Sequence, residues 1–253
     1  NQKLVIIVDA LDEADRPFGS RSNVLSLPGR LPKGVFIVVT HRPIEDFPLR
    51  LQTDRKYFYL KADSQGNLLD VRLYLEQAAR RLNQRLESEH IRKDQFVKLM
   101  LEKSEGNFMY LRHVIPEIES GRYPKLKLVE LPQGLTDYYN SHWLQMKTED
   151  MDLWFEFRQP VICFLAAALE PVSMEELVDF SQLPATRVKA ALHQWREFLS
   201  IETFGNTKKY RIYHASFQDF LRQKDELGEI DLTKTHSAIA DRGLEQWRSE
   251  QES

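Results

Sequence analysis

Leu4-Val5-Ile6-Ile7-Val8-Asp9-Ala10-Leu11-Asp12-Glu13 is the stretch that decides the fold. Its five leading residues are apolar and four of them are β-branched. That pattern predicts a strand buried on both faces, as in a parallel sheet. The run then breaks into three carboxylates within five residues, at the carboxyl end of the strand. In open α/β sheets that end is where ligands bind. Clustered acids at a buried strand end are costly unless a cation balances them, and Mg²⁺ carried with a nucleotide phosphate is the usual one. Asp9 is therefore the candidate metal-binding residue. Asp12 and Glu13, where the chain leaves the strand, are placed to orient or deprotonate an attacking water. The alternative for all three is an acidic helix N-terminus favoured by the dipole.

A second strand is predicted at Val35-Phe36-Ile37-Val38-Val39-Thr40, after the Pro/Gly-rich Leu27 to Gly34, and Pro43 should stop its ladder. A third apolar segment, Tyr57-Phe58-Tyr59-Leu60, precedes the turn signal Asp63 to Asn67. The period then becomes helical. Leu68, Val71, Leu75, Ala78, Leu82 and Leu86 share one face; Phe96, Leu99 and Met100 begin a second helix; and Phe108 to Ile118 reads as a third, with Pro116 near its end.

Residues 121–133, bracketed by Pro124 and Pro132, read as a linker. Helices are expected from about Leu135 to Met146 and from Pro160 to Leu169, with Pro160 suited to a first turn. Ser173-Met174-Glu175-Glu176 is a capping box opening a short helix, and another starts at Pro184-Ala185-Thr186. Leu199 to Phe204 and Lys209 to His214 flank Gly205-Asn206, a hairpin signal. Three helices followed by a hairpin is the order of a winged-helix domain, and a further helix pair closes the chain. The expected organisation is α/β followed by mainly α: 1–66 the distal half of a P-loop-type α/β core, 67–122 a helical lid, 123–225 a winged-helix region and 226–253 a C-terminal helical segment.

Composition narrows the function classes. Apolar residues make up 42% and charged residues 29%, values of a folded globular chain, and 253 residues allow two compact units. With 35 basic and 38 acidic residues the formal charge is −3, so no global field favours nucleic acid or an anionic membrane. Cys163 is the single cysteine, which fits a reducing cytoplasm. It lies in the apolar run Val161 to Leu169, whose nine residues are too short to span a bilayer. The chain opens at Asn1 without Met and without a secretion signal, as a fragment would.

The spacing Asp9-Ala10-Leu11-Asp12-Glu13 resembles the Walker B element of the STAND signalling ATPases of the NACHT and NOD-like receptor type. Val38-Val39-Thr40-His41-Arg42-Pro43 is similar to their sensor 1 segment, although position 41 is more often Ser in that family. Glu105-Gly106-Asn107-Phe108-Met109-Tyr110-Leu111 resembles a segment of their first helical domain. Leu131 to Tyr139 looks like their Leu-Pro-x-Gly-Leu approach to the winged helix, and Tyr213 to Leu221 like their His-x-Ser-Phe-x-Asp/Glu-Phe motif.

The resemblance implies that Arg42 reaches the nucleotide γ-phosphate and that His214 holds the β-phosphate of ADP in a closed state. It implies ATP or ADP with Mg²⁺ as cofactors of the intact protein, and regulated self-association as the output. No Gly-x-x-x-x-Gly-Lys-Ser/Thr occurs in the chain, so the phosphate-cradling loop is expected from an upstream segment or another chain. By the family topology, the strand carrying that loop would lie between the sensor 1 strand and Tyr57 to Leu60. ATP hydrolysis by this polypeptide alone is accordingly expected to be negligible. Two rival readings stay open: a non-catalytic scaffold, and a winged-helix DNA reader using Arg187, Lys189 and Arg196, with Glu197 on the same segment weighing against it.

Overall fold

A computed structural model describes residues 3–14, 23–42, 49–52 and 54–251, with the backbone alone for Glu13, Gln246, Ser249, Glu250 and Gln251. Pro43, expected to end the second strand, and the terminal Asn1 lie outside the described residues. The chain is mixed α/β and divides into two compact units, Asn1–Leu60 and Lys61–Ser253.

In the first unit, strands β1 (Leu4–Val8) and β2 (Val35–Val39) pair in parallel, from Leu4 opposite Val35 to Val8 opposite Val39. The β-branched runs suit this pleated ladder. Asn23 ties the connecting segments together. Its amide donates to the carbonyls of Leu27 and Arg50 at 2.7 and 3.0 Å, and its oxygen accepts from the Arg50 N–H at 2.6 Å.

The expectation that β1 is buried on both faces is not met: Leu4 is 54% exposed and Ile7 72%. Burial on both faces requires a covering layer on each, and the described part of this unit contains only β1, β2 and two 3-10 turns, Leu11–Glu13 and Val24–Ser26. Tyr57 to Leu60 also belong to no ladder among the described residues, and Leu60 is 95% exposed.

The second unit is built on helices. α1 (Gln65–Arg81) and α2 (Asn83–Ser88) carry the predicted stripe, with Val71, Leu75, Ala78, Leu82 and Leu86 buried. The stripe runs through both, but Leu82 at ψ 7° ends the first helix. α3 (Lys93–Ser104) and α4 (Phe108–Glu119) come next, with Pro116 accommodated inside the last turns of α4.

After the linker come α5 (Gly134–Glu149), the single turn α6 (Met151–Leu153) and a π-helical turn over Trp154–Arg158. The π turn leads directly into α7 (Gln159–Ala167), and Pro160 explains it. Proline offers no N–H to the carbonyl four residues back and its ring crowds that carbonyl. The turn widens instead, and the Gln159 N–H bonds the Trp154 carbonyl five residues back. The Arg158 carbonyl accepts from Trp195 Nε1 at 2.9 Å.

The capping box forms as predicted at α8 (Met174–Ser181): Ser173 Oγ accepts from the Glu176 N–H and the Glu176 carboxylate from the Ser173 N–H. α9 (Ala185–Gln194) precedes an antiparallel hairpin, β4 (Leu199–Phe204) and β5 (Thr207–Ile212), closed by Gly205-Asn206. A two-residue strand, β3 (Val172–Ser173), adds to β5 and makes the order β3-β5-β4. α10 (Ala215–Glu226) and α11 (Leu232–Gln251) complete the unit, α11 lying against α7 and α8.

The centre of this half is aromatic. Trp143, Trp154 and Trp195 are each at most 1% exposed, and Phe198, Phe217 and Phe220 stack beside them. No described helix is long and apolar enough to cross a membrane.

Candidate functional site

The carboxyl ends of β1 and β2 meet because the strands are parallel and in register to their last pair, Val8 and Val39. Three of the predicted residues sit there. Asp9 Oδ1 accepts a hydrogen bond from the Thr40 hydroxyl, and Thr40 Oγ1 in turn accepts from the Ala10 N–H at 2.8 Å. Ala10 stands at φ 50°, in the left-handed region. A small side chain limits that cost, and the reversal carries Leu11 into a buried position and turns Asp12 back over the strand ends.

Asp12 and Arg42 form the firmest polar contact of the site. Arg42 Nε lies 2.6 Å from Asp12 Oδ2, and the Arg42 N–H donates to Asp12 Oδ1 at 3.2 Å. The Asp12 side chain is 3% exposed and that of Arg42 46%. Burial raises the Asp12 pKa, but the two hydrogen bonds and the charge of Arg42 outweigh it and hold the carboxyl below its ordinary range. The arrangement thus keeps a carboxylate ionised and a guanidinium orientated at one strand end. The side chain of Glu13 lies outside the described residues. Thr40, which sequence reasoning passed over as the last residue of a strand, supplies the hydroxyl that fixes Asp9. Its signal was only that it follows Val39 in register with Asp9.

His214 lies in the second unit, at the start of α10, where its Nδ1 accepts from the Ser216 N–H at 3.2 Å. Ser216 Oγ is 2.7 Å from the same nitrogen and 3.0 Å from the Tyr139 hydroxyl. The imidazole therefore caps its own helix, the ordinary role of a histidine at a helix entry. An Nδ1 that accepts from backbone leaves the proton of the neutral ring on Nε2. Phe217, Phe220 and Leu221 are buried core residues, as expected.

The two other motif segments dock on each other. Gly106 has φ 74°, and a Cβ there would lie 2.2 Å from the Ala62 carbonyl oxygen. Asn107 caps α4 by accepting from Met109 and Tyr110, and Gly134 has φ 69° with its missing Cβ facing the Glu105 carboxylate at 2.5 Å. Tyr110 donates to the Pro132 carbonyl at 2.8 Å, Lys103 to that of Leu131 at 2.7 Å, and Gln133 to that of Glu102 at 3.2 Å. Gly106 is needed for close backbone approach, and Gly134 for its left-handed φ. These segments make a joint between the α1–α4 helices and α5.

On the proposed DNA-reading helix, Arg187 is engaged within the protein, 3.0 Å from Glu156 and over the Phe157 ring. Lys189 and Arg196 are exposed. Among the described residues no group of three or more His, Cys, Asp or Glu side chains is arranged to hold a metal ion. No family model matches the chain, and no curated protein or solved structure matches it.

Proposed function

We propose that this chain is part of a nucleotide-dependent signalling switch of the STAND/NACHT class, containing the acidic wall of an NTPase site, a helical lid and a winged-helix region. The observation that carries this reading is the meeting of Asp9, Asp12 and Arg42 at the carboxyl ends of two adjacent parallel strands. Asp9, with the Thr40 hydroxyl beside it, is the residue that would hold Mg²⁺, chiefly through water; bound there, the ion would neutralise phosphate charge.

Arg42 now pairs with a carboxylate, and a guanidinium that binds a carboxylate in this way also fits a phosphate oxygen. Exchange of Asp12 for a γ-phosphate would make the strand end sensitive to which nucleotide is bound. A His214 Nε2–H donor suits a β-phosphate. Differential contacts to ADP and ATP would then bias two arrangements and so regulate self-association. The DNA reading is the weaker one, since Arg187 is already committed to Glu156.

The test is nucleotide binding and turnover by the natural polypeptide that contains this chain. Asp9→Asn should lower turnover on the order of 100-fold. Arg42→Ala should weaken ATP binding more than ADP binding, and His214→Ala should weaken ADP binding. Unchanged affinities in these variants would remove Arg42 and His214 from the site. The 253-residue chain alone should not turn over ATP, and turnover abolished by Asp9→Ala would refute that expectation.

A further inference from the structure

Where α4, the linker, α5 and the turn before β4 come together, two acidic side chains share too few protons. Glu117 is 8% exposed. Its Oε1 accepts from the Tyr138 hydroxyl at 2.9 Å and from Arg122 Nη1, and its Oε2 accepts from the Tyr123 hydroxyl at 2.7 Å. Glu197 approaches from the other side, with Oε2 3.1 Å from the same Tyr138 hydroxyl and Oε1 3.0 Å from His142 Nδ1.

A tyrosine hydroxyl has one proton and cannot satisfy two carboxylates at once. One assignment serves both carboxylates: His142 Nδ1–H donates to Glu197 Oε1, a protonated Glu197 Oε2 donates to the Tyr138 oxygen, and Tyr138 donates to the Glu117 carboxylate. His142 Nε2, buried without a partner among the described residues, is then a bare lone pair rather than a stranded N–H. Arg122 donates to Glu117 and, through Nη2, to Gln145 at 3.1 Å; the same Nη2 lies 3.2 Å from His142 Nδ1, and in this assignment that contact carries no hydrogen bond.

We propose that this chain of hydrogen bonds is a proton-operated latch, in which one proton on Glu197 holds the α1–α4 helices against the β3-β5-β4 half and its loss loosens them. Without that proton the Tyr138 oxygen faces an oxygen, and two carboxylates share one guanidinium, since Arg122 Nη1 is 3.8 Å from Glu197. The groups facing Glu197 are Glu117 and His113 from α4, Arg122 from the linker, and Tyr138 and His142 from α5. Arg112 lines the adjoining cavity of about 380 Å³. Burial, and then the charge of Glu117, raise the Glu197 pKa, against the opposing pull of Arg122. Burial, Arg122 and His113 depress His142 to about 3, so the imidazole stays neutral while Glu197 titrates. The latch is independent of nucleotide binding and stands or falls without it.

Thermolysin cleaves before large apolar residues, and Leu126 and Leu128 of the linker are 4% and 6% exposed, so cleavage there reports opening. Native-state cleavage of the full chain, normalised to a peptide substrate across about pH 5 to 8, is read as the ratio of the wild-type rate to the Glu197→Gln rate, in which the opposing titration of His113 and His142 cancels. Glu197→Gln keeps a neutral donor, so the ratio should climb as pH rises, by up to about tenfold per unit. A ratio that stays flat or falls with pH overturns the proposal. Carboxyl-carbon NMR of the unaltered chain reads the same group without a variant. A Glu197 midpoint above that of an ordinary glutamate is expected, and one at or below it is equally fatal.

Discussion

Acid should destabilise the second unit through two histidines that burial holds neutral in the folded state. His113 and His142 are both enclosed: His113 is 9% exposed and the His142 side chain 10%. Burial first, and then the charges of Arg112 and His214, lower the His113 pKa to about 4. His142 is lowered to about 3, by burial and then by Arg122 and His113. A base whose folded pKa is depressed takes up protons more readily when unfolded, so stability falls as pH drops below the ordinary value of 6.5 towards the folded values. Each histidine contributes at most about 1.4 kcal/mol per pH unit. From about pH 7 to about pH 5 that is roughly 2 kcal/mol per histidine and roughly 4 for the pair, a large part of the roughly 5–15 kcal/mol typical of a domain. Glu197, with its raised pKa, acts in the opposite sense: the folded state takes up its proton first, which returns part of the loss at low pH.

Urea denaturation at about pH 7, 6 and 5, followed by tryptophan fluorescence, measures the slope. Trp143, Trp154 and Trp195 are all buried in this unit, so their signal reports its unfolding. His142→Gln and His113→Gln should each remove about half of the acid slope, whatever they do to stability at about pH 7. An unchanged slope in the double variant, or stability that rises towards about pH 5, would falsify the linkage.

Three further outcomes rest on the same geometry. Gly106→Ala forces a Cβ to within 2.2 Å of the Ala62 carbonyl oxygen at φ 74°, and should cost about 2 kcal/mol or more by urea midpoint; a cost below about 0.5 would show that the joint yields. Trp154→Ala removes a ring that is 1% exposed and in edge contact with Trp143 at 4.5 Å, and should cost about 3–5 kcal/mol in thermal unfolding. Ser173→Ala breaks the capping box of α8 and should cost about 1 kcal/mol, whereas Ser173→Asp, which keeps an acceptor, should recover most of it.

Local signals carried a long way along this chain. The helical stripe from Val71 to Leu86, the Ser173–Glu176 box and the Gly205-Asn206 turn are each written in a few neighbouring residues, and the structure places an element at each. The π turn was legible only in part: Pro160 announces a break in bonding, but not that Gln159 reaches back to Trp154. Strand β3 was missed because two residues have no period of their own and are held by Tyr210 and Lys209. The pairing of Arg42 with Asp12 and the bond from Thr40 to Asp9 each span about thirty residues, so no local pattern contains them. The need for glycine at position 106 is visible only once the opposing Ala62 carbonyl is in place, and at position 134 only once the chain turns there through φ 69°.

By itself the sequence determined most of the helices, the strands β1, β2, β4 and β5, and which acidic and basic residues end the first two strands, because β-branching, periodicity and capping act over a few residues. Tertiary structure alone decided that β1 is exposed and β2 only half-buried, that His214 caps its own helix, and that Glu117 and Glu197 converge on one hydroxyl. Burial and charge depend on what packs from elsewhere in the chain, and the charge of a buried carboxylate depends on every donor that reaches it.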